Sequence, residues 1–260
     1  MARGDVFKKP FFIRLLTALK ILPVYRSSEG VENLSENYKT FEACVEILRK
    51  KGIITIFSEG KCVNEWHLRP LKKGTARLAI KAWQENIDLS VIPVGINYSS
   101  FTRFGKNVFI NFGVPIRKEN IDFTESDGVR HQSFNKLLSQ QLAQSVFEIP
   151  KSDTQRQKSL LELKPSLLLK FILSIPAAIG YLIHLPLFLP VKKFAWKRTH
   201  NNDHYDSVMV GILLLTYPLY LLFFTSVIWA FTTNWLSIFL LLIFPFTAWS
   251  YVQLKAQLDK

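Results

Sequence analysis

Three short stretches hold the residues best suited to chemistry. Ser58-Glu59-Gly60-Lys61 follows the apolar run Ile53–Phe57 directly. In open α/β sheets ligands bind beyond the carboxyl ends of strands, and a glycine lets a ligand approach the backbone closely. Glu59 beside Gly60 is therefore well placed to meet a polar substrate, although the tetrapeptide alone reads as a loop with a solvated glutamate. Pro70-Leu71-Lys72-Lys73-Gly74-Thr75 opens a helix. Free N–H groups, the helix dipole and two ammonium groups make that end a natural anion site; a lysine pair by itself is most simply solvated. Arg26 ends the stretch Leu22-Pro23-Val24-Tyr25. Its guanidinium suits bidentate phosphate contact, and its plain alternative is a surface salt bridge.

These stretches lie in a region that reads as alternating helix and strand. Phe7–Lys20 is an aromatic, basic helical pattern, either a core helix or one resting on an anionic membrane surface. Ile21–Arg26 is predicted as a short strand. Asn33–Lys51 is an amphipathic helix, with Leu34, Tyr38, Phe41, Val45 and Leu48 at steps of four and three. Asn33 and Glu36 form a predicted capping box, and Gly52 stops the helix. Ile53–Phe57 is continuous and apolar, as expected of a strand buried on both faces. A helix over Thr75–Glu85, strands over Leu89–Val94 and Asn107–Phe112, and a helix over Phe134–Phe147 follow. The expected fold class is α/β, an αβ layer domain over residues 1–150, followed by an all-α membrane segment.

The remainder has a different composition. Residues 1–165 carry 26 of the 33 basic and 17 of the 20 acidic side chains, while Ser207 to Leu254 carries none of either. A membrane span needs about 20 apolar residues, so this stretch has room for two, Val208–Thr232 and Trp235–Val252, with Thr233-Asn234 as the break. Ser166–Pro190 is a third apolar run, interrupted by Lys170, Pro176, Gly180, His184 and Pro186. The expected organisation is a basic linker over 151–165 and a membrane region over 166–260, re-entrant or spanning at 166–190 and a hairpin at 208–252. Lys and Arg flanks mark the cytoplasmic side. Basic clusters lie before 166, at Lys192, Lys193, Lys197 and Arg198, and after 252; all are reconciled if 166–190 dips in and returns. No signal-peptide pattern is expected at the charged N-terminus, which puts the domain on the cytoplasmic face. The net charge of +13 with 48% hydrophobic residues excludes a disordered nucleic-acid tail, and two cysteines exclude a disulfide scaffold. No nucleic-acid partner is expected, and neither Cys44 nor Cys62 suggests a metal site.

In order, Pro23-Val24-Tyr25-Arg26, an amphipathic helix, Phe57-Ser58-Glu59-Gly60, Leu71-Lys72-Lys73-Gly74, a helix and Val91-Ile92-Pro93-Val94-Gly95 resemble the 1-acylglycerol-3-phosphate acyltransferase family. The resemblance runs from about Ala2 to Phe112. It implies that Arg26 helps hold the acceptor's phosphate, and that Glu59 and Gly60 help bind the glycerol phosphate. Lys61 would offset an arginine of the family pattern that is Cys62 here, and the charges of Lys72 and Lys73 would add positive potential. Ser58 also departs from the pattern, which has proline there. The implied reaction moves an acyl chain from acyl-CoA or acyl-carrier protein to a lysophospholipid or glycerol-phosphate hydroxyl, at a bilayer and with no cofactor.

One family block is not matched. It pairs a histidine with an aspartate five positions later, the histidine taking the proton from the attacking hydroxyl. None of His67, His131, His184, His200 or His204 has that partner, so no catalytic residue is assigned. The expectation is that the native protein begins upstream of Met1 with this block. The alternative is a non-catalytic phospholipid-binding membrane protein.

Overall fold

The computed structural model describes residues 2–3, 7, 10–24 and 34–258. The chain divides into two compact units, one of Met1–Cys62, Leu68–Gly95 and Ile110–Glu148, the other of Val63–His67, Ile96–Phe109 and Ile149–Lys260.

In the first unit, β1 (Ala2–Arg3) pairs in parallel with β2 (Pro23–Val24), and α1 (Pro10–Ala18) lies between them in sequence. The core is built around α3 (Lys73–Gln84), which is buried on two sides. Ala76, Ala79, Ile80 and Trp83 pack against Phe134, Leu138 and Leu142 of α4 (Asp127–Ser145). Leu78 and Ala82 meet Cys44, Val45 and Leu48 of α2 (Leu34–Arg49). Alanines at 76, 79 and 82 keep α3 thin enough to hold two neighbours at once. Trp83 is fully buried, donates its indole N–H to the Leu89 carbonyl at 2.9 Å, and meets the Phe134 ring edge-on. Thr40 on α2 donates to the Pro23 carbonyl at 2.8 Å, tying β2 to this core.

The expected α/β layer is only partly formed. Residues 53–57 form neither helix nor strand. Ile54 and Ile56 pack on the α2–α3 cluster, whereas Ile53 and Phe57 are 93% and 69% exposed. With Ile53 and Phe57 exposed, the segment is not buried on both faces as its composition suggested. The second expected strand shifts: Val91 forms an isolated antiparallel bridge with Ile116, and β3 covers Val94–Tyr98. Its neighbour β4 (Val108–Phe112) matches expectation closely. Gly95 on β3 lies against the end of α4, where an added Cβ would sit 2.4 Å from the Ser145 carbonyl oxygen. The Asn33 capping box lies outside the described residues.

The second unit is dominated by α6 (Leu167–Thr199), α7 (Tyr205–Thr232) and α8 (Leu240–Leu254), preceded by α5 (Thr154–Leu161). With the 3-10 turn at its start, the α8 segment spans Trp235–Leu254, and all three helices are long and apolar enough to cross a membrane. Thr233 (φ +50°) turns the chain between α7 and α8, and Asn234 caps the turn by accepting from the Leu236 N–H at 3.0 Å.

Both ends of α6 are tied to the same place. Leu163, just before it, exchanges two hydrogen bonds with the Gln257 side chain, just after α8. In its last turn, Trp196 meets Tyr205 at the start of α7. The loop 103–106 touches all three neighbours: Arg103 reaches Ala256, Phe104 meets Phe188, and Lys106 pairs with Asp206. A straight 33-residue helix would be about 50 Å long, so α6 must bend. Pro176, Pro186 and Pro190 lie within it, and prolines are where helices kink. The first limb meets α8, with Gly180 against Thr247 and Tyr181 against Tyr251. The last limb packs on α7 through Val191, Ala195 and Met209.

Candidate functional site

The loop after residue 57 is stitched to the approach of α3. The Gly60 N–H donates to the Phe57 carbonyl at 3.1 Å, closing a turn, and Gly60 has φ +63°. That is the left-handed region, where a side chain is disfavoured. The Lys72 N–H donates to the Ser58 carbonyl at 2.8 Å, and the Ser58 and Thr75 hydroxyls lie 2.9 Å apart. The Glu59 carboxylate accepts from the Arg69 backbone N–H at 3.0 Å through Oε1. A Cβ at Gly60 would meet the Lys72 Cγ at 3.1 Å.

Glu59, Gly60 and Lys72, which are 12 or 13 positions apart in sequence, thus form one surface. Lys73 continues it as the first residue of α3, and Lys61 leaves it on the exposed side of the loop. Lys72, at the N-cap, has an extended backbone and makes no side-chain capping bond. The first turn of α3 therefore presents its N–H dipoles alongside two exposed lysines. Arg26 lies outside the described residues. Pro93 is buried, and its carbonyl accepts from the Gly113 N–H at 2.8 Å; here it serves the hairpin between Val91 and Ile116.

His131, which has no aspartate five positions later, lies on α4 of this unit. Burial lowers its pKa, and Arg77, Arg130 and Lys73 depress it further against the opposing pull of Asp127. Burial and these cations thus favour the neutral form of its imidazole. No spacing rule could find it, because only the α3–α4 packing brings residues 73, 77 and 131 into one field. His67 is exposed and belongs to the second unit, as do His184, His200 and His204. His184 is occupied within the apolar helices, with Nδ1 2.7 Å from the Gly180 carbonyl oxygen and Nε2 3.1 Å from the Tyr217 hydroxyl.

Residues 1–97, which include this loop and the lysines of α3, match the acyltransferase family profile. Over these residues the chain is similar to acyltransferases. Glycerol-3-phosphate O-acyltransferase 2 of Saccharomyces cerevisiae is 30% identical over 83 residues, which is 31% of this chain and 11% of that protein. The chain therefore aligns with only a small part of that relative. No solved structure matches it significantly. The three apolar helices lie beyond the matched residues and support association of the chain with a membrane.

Proposed function

We propose that the acyltransferase domain binds a glycerol-phosphate or lysophospholipid acceptor on the surface made by Glu59, Gly60, Lys61, Lys72 and Lys73, with Arg26 contributing to the phosphate contact. The observation that carries this is the Glu59–Gly60 turn fastened onto the lysine-rich start of α3. One carboxylate oxygen is fixed by the Arg69 N–H, which orients the group towards an acceptor hydroxyl. The lysines and the α3 N-terminus supply the potential that a phosphate needs.

The acceptor hydroxyl oxygen bonds to the carbonyl carbon of an acyl thioester, the C–S bond breaks, and the thiolate leaves. The hydroxyl proton ends on the released thiol. Acyl-CoA or acyl-carrier protein serves as co-substrate, and the balance requires no cofactor. A second reading is a phospholipid-binding protein that does not turn over.

For the membrane region we propose that α6 enters and leaves on the cytoplasmic side while α7 and α8 form a full hairpin. The bonding of Leu163 to Gln257 beyond α8 and the packing of Trp196 on Tyr205 at the start of α7 support this. So does the placing of Lys192, Lys193, Lys197, Arg198 and Lys255 near that end, against an uncharged turn at Thr233-Asn234. The acyltransferase domain then faces the cytoplasm.

The full chain in lipid nanodiscs, given labelled glycerol 3-phosphate or lysophosphatidate with acyl-CoA, tests the site. Acceptor binding should weaken about tenfold in Glu59→Gln and in the Lys72→Gln/Lys73→Gln double variant, as expected for loss of a charge-assisted contact. Acylated product supports the enzyme reading. Binding without product supports the second reading, and binding equal in wild type and variants overturns the site.

A further inference from the structure

A separate cluster of charge lies in the second unit, where α7 begins and α8 ends. Lys106 is 90% buried along its side chain and pairs with Asp206 at 3.0 Å, with its Nζ also 5.4 Å from the centre of the Tyr98 ring. Lys255 follows the last residue of α8, half-buried, its Nζ 6.0 Å from the centre of the Phe104 ring. Arg103 sits beside it, donating one guanidinium N–H to the Ala256 carbonyl at 3.2 Å. Three cations thus converge with one carboxylate, and Lys106 already holds that carboxylate.

The fold pins this arrangement rather than leaving it to mobile side chains. The Ser99 hydroxyl donates to the Gln257 carbonyl at 3.2 Å, the Asn107 amide donates to the Gln257 side chain, and Gln257 also bonds Leu163. The Ser100 hydroxyl accepts from the Arg103 N–H at 2.8 Å, which fixes the start of the loop. Holding like charges together in a half-buried place is costly unless an anion joins them. Burial first, then Arg103 and Lys106, pull the Lys255 pKa down to about 8, against a weaker opposing pull from Asp206. The cluster lies at the ends of helices long enough to span a membrane, the level at which lipid headgroups stand.

We propose that Arg103 and Lys255, backed by the Lys106–Asp206 pair, seat the phosphate of an anionic phospholipid at the bilayer surface. The aromatic rings of Phe104 and Tyr98 form the apolar side of the seat, and the polar loop 99–107 forms its rim. The bound phosphate restores charge balance at the joint between the loop and the ends of α7 and α8, so the lipid acts as a clasp on the helical unit. This does not rest on the acyl-transfer reading and holds whether or not the protein turns over.

The test is native mass spectrometry of the full chain, delipidated in neutral detergent and offered equal phosphatidylglycerol and phosphatidylcholine. Wild type should retain phosphatidylglycerol selectively, and Arg103→Gln/Lys255→Gln should lower the retained fraction about tenfold. Lys192→Gln/Lys197→Gln removes the same charge from α6 and should leave retention intact. Equal loss in both double variants would mean only general attraction to a basic surface and would overturn the seat. Arg103→Lys/Lys255→Arg should keep selectivity, which guards against a misfolded glutamine variant. In wild type with isotope-labelled methylated lysines, phosphatidylglycerol should raise the titration midpoint of Lys255. If inorganic phosphate does so and the lipid does not, the anion is a soluble one and the lipid assignment fails.

Discussion

Gly180 offers a direct test of the helical unit. It lies on the first limb of α6, where an added Cβ would stand 2.1 Å from the Thr247 carbonyl oxygen and 2.5 Å from its carbon. Both atoms are backbone, so no rotamer change relieves the clash. Side-chain carbons essentially never come closer than 3.0 Å, so Gly180→Ala must move the α6 limb off α8 by about 1 Å, a separation that a close-packed interface resists. The movement loosens Leu173, Ala177, Phe244 and Ser250, all buried in this unit, and shifts the carbonyl that His184 bonds. Overpacking of this kind costs about 1–3 kcal/mol. Gly211 on α7 is the matched control, because nothing lies within 4 Å of a Cβ there, and Gly→Ala in an open helix gains up to about 1 kcal/mol. Gly180→Ala should therefore fall below Gly211→Ala by about 1–4 kcal/mol in equilibrium unfolding of the full chain in mixed micelles. If the two variants are equally stable, the close α6–α8 crossing is refuted, and with it the bend that brings Leu163 to Gln257.

Other outcomes can be stated from the same geometry. A thiol-reactive maleimide at neutral pH should modify Cys62, which is exposed, and spare Cys44, which is buried and whose thiol pKa burial pushes up to about 11; two modified thiols per folded chain would contradict the α2–α3 packing. Gly60→Ala places a side chain at φ +63° against Lys72 and should cost about 1–2 kcal/mol in the loop, read as weakened acceptor binding with an unchanged far-UV spectrum. Lys255 should make lipid-free stability rise with pH. Its folded pKa of about 8 lies below the ordinary 10.5, so between those values the unfolded chain binds more protons and alkali favours the folded state. The stabilisation of Lys255→Gln over wild type should then shrink as pH climbs from 8 to 10.5, and a constant difference would show that Lys255 is not held among cations.

The contrast between the two units explains what the sequence could and could not disclose. Helices were legible because their signal is repeated: α2, α3, α7 and β4 fall within a few residues of the bounds that periodicity and composition indicate. The failure at Ile53–Phe57 has a physical cause. A short apolar run says that its side chains prefer to leave water, but not how many faces find a neighbour, and here Ile54 and Ile56 do while Ile53 and Phe57 do not. The candidate site was legible in its residue types, since Glu59, Gly60 and Lys72 are separated by little chain and meet through local hydrogen bonds. His131 and the Arg103–Lys255 cluster were not, since each depends on residues far along the chain, Lys73 and Arg77 for His131 and the 103–106 loop for Lys255.

That difference bears on how a small polar domain and an apolar segment come to share one chain. A phosphate site made from a turn and the next helix needs only local order, so it can be specified by a short motif. A phosphate site made from residues 103 and 255 exists only once α7 and α8 have assembled, because Arg103 is bonded to Ala256 beyond the end of α8 while Lys106 of the same loop pairs with Asp206 at the start of α7. The first can recognise a substrate whatever the state of the helices. The second reports their assembly, and a lipid that binds it stabilises the assembled form by its own binding energy. If the clasp operates, anionic lipid should raise the unfolding midpoint of wild type and lose that effect in Arg103→Gln/Lys255→Gln, while Glu59→Gln, which touches only the first site, should keep it.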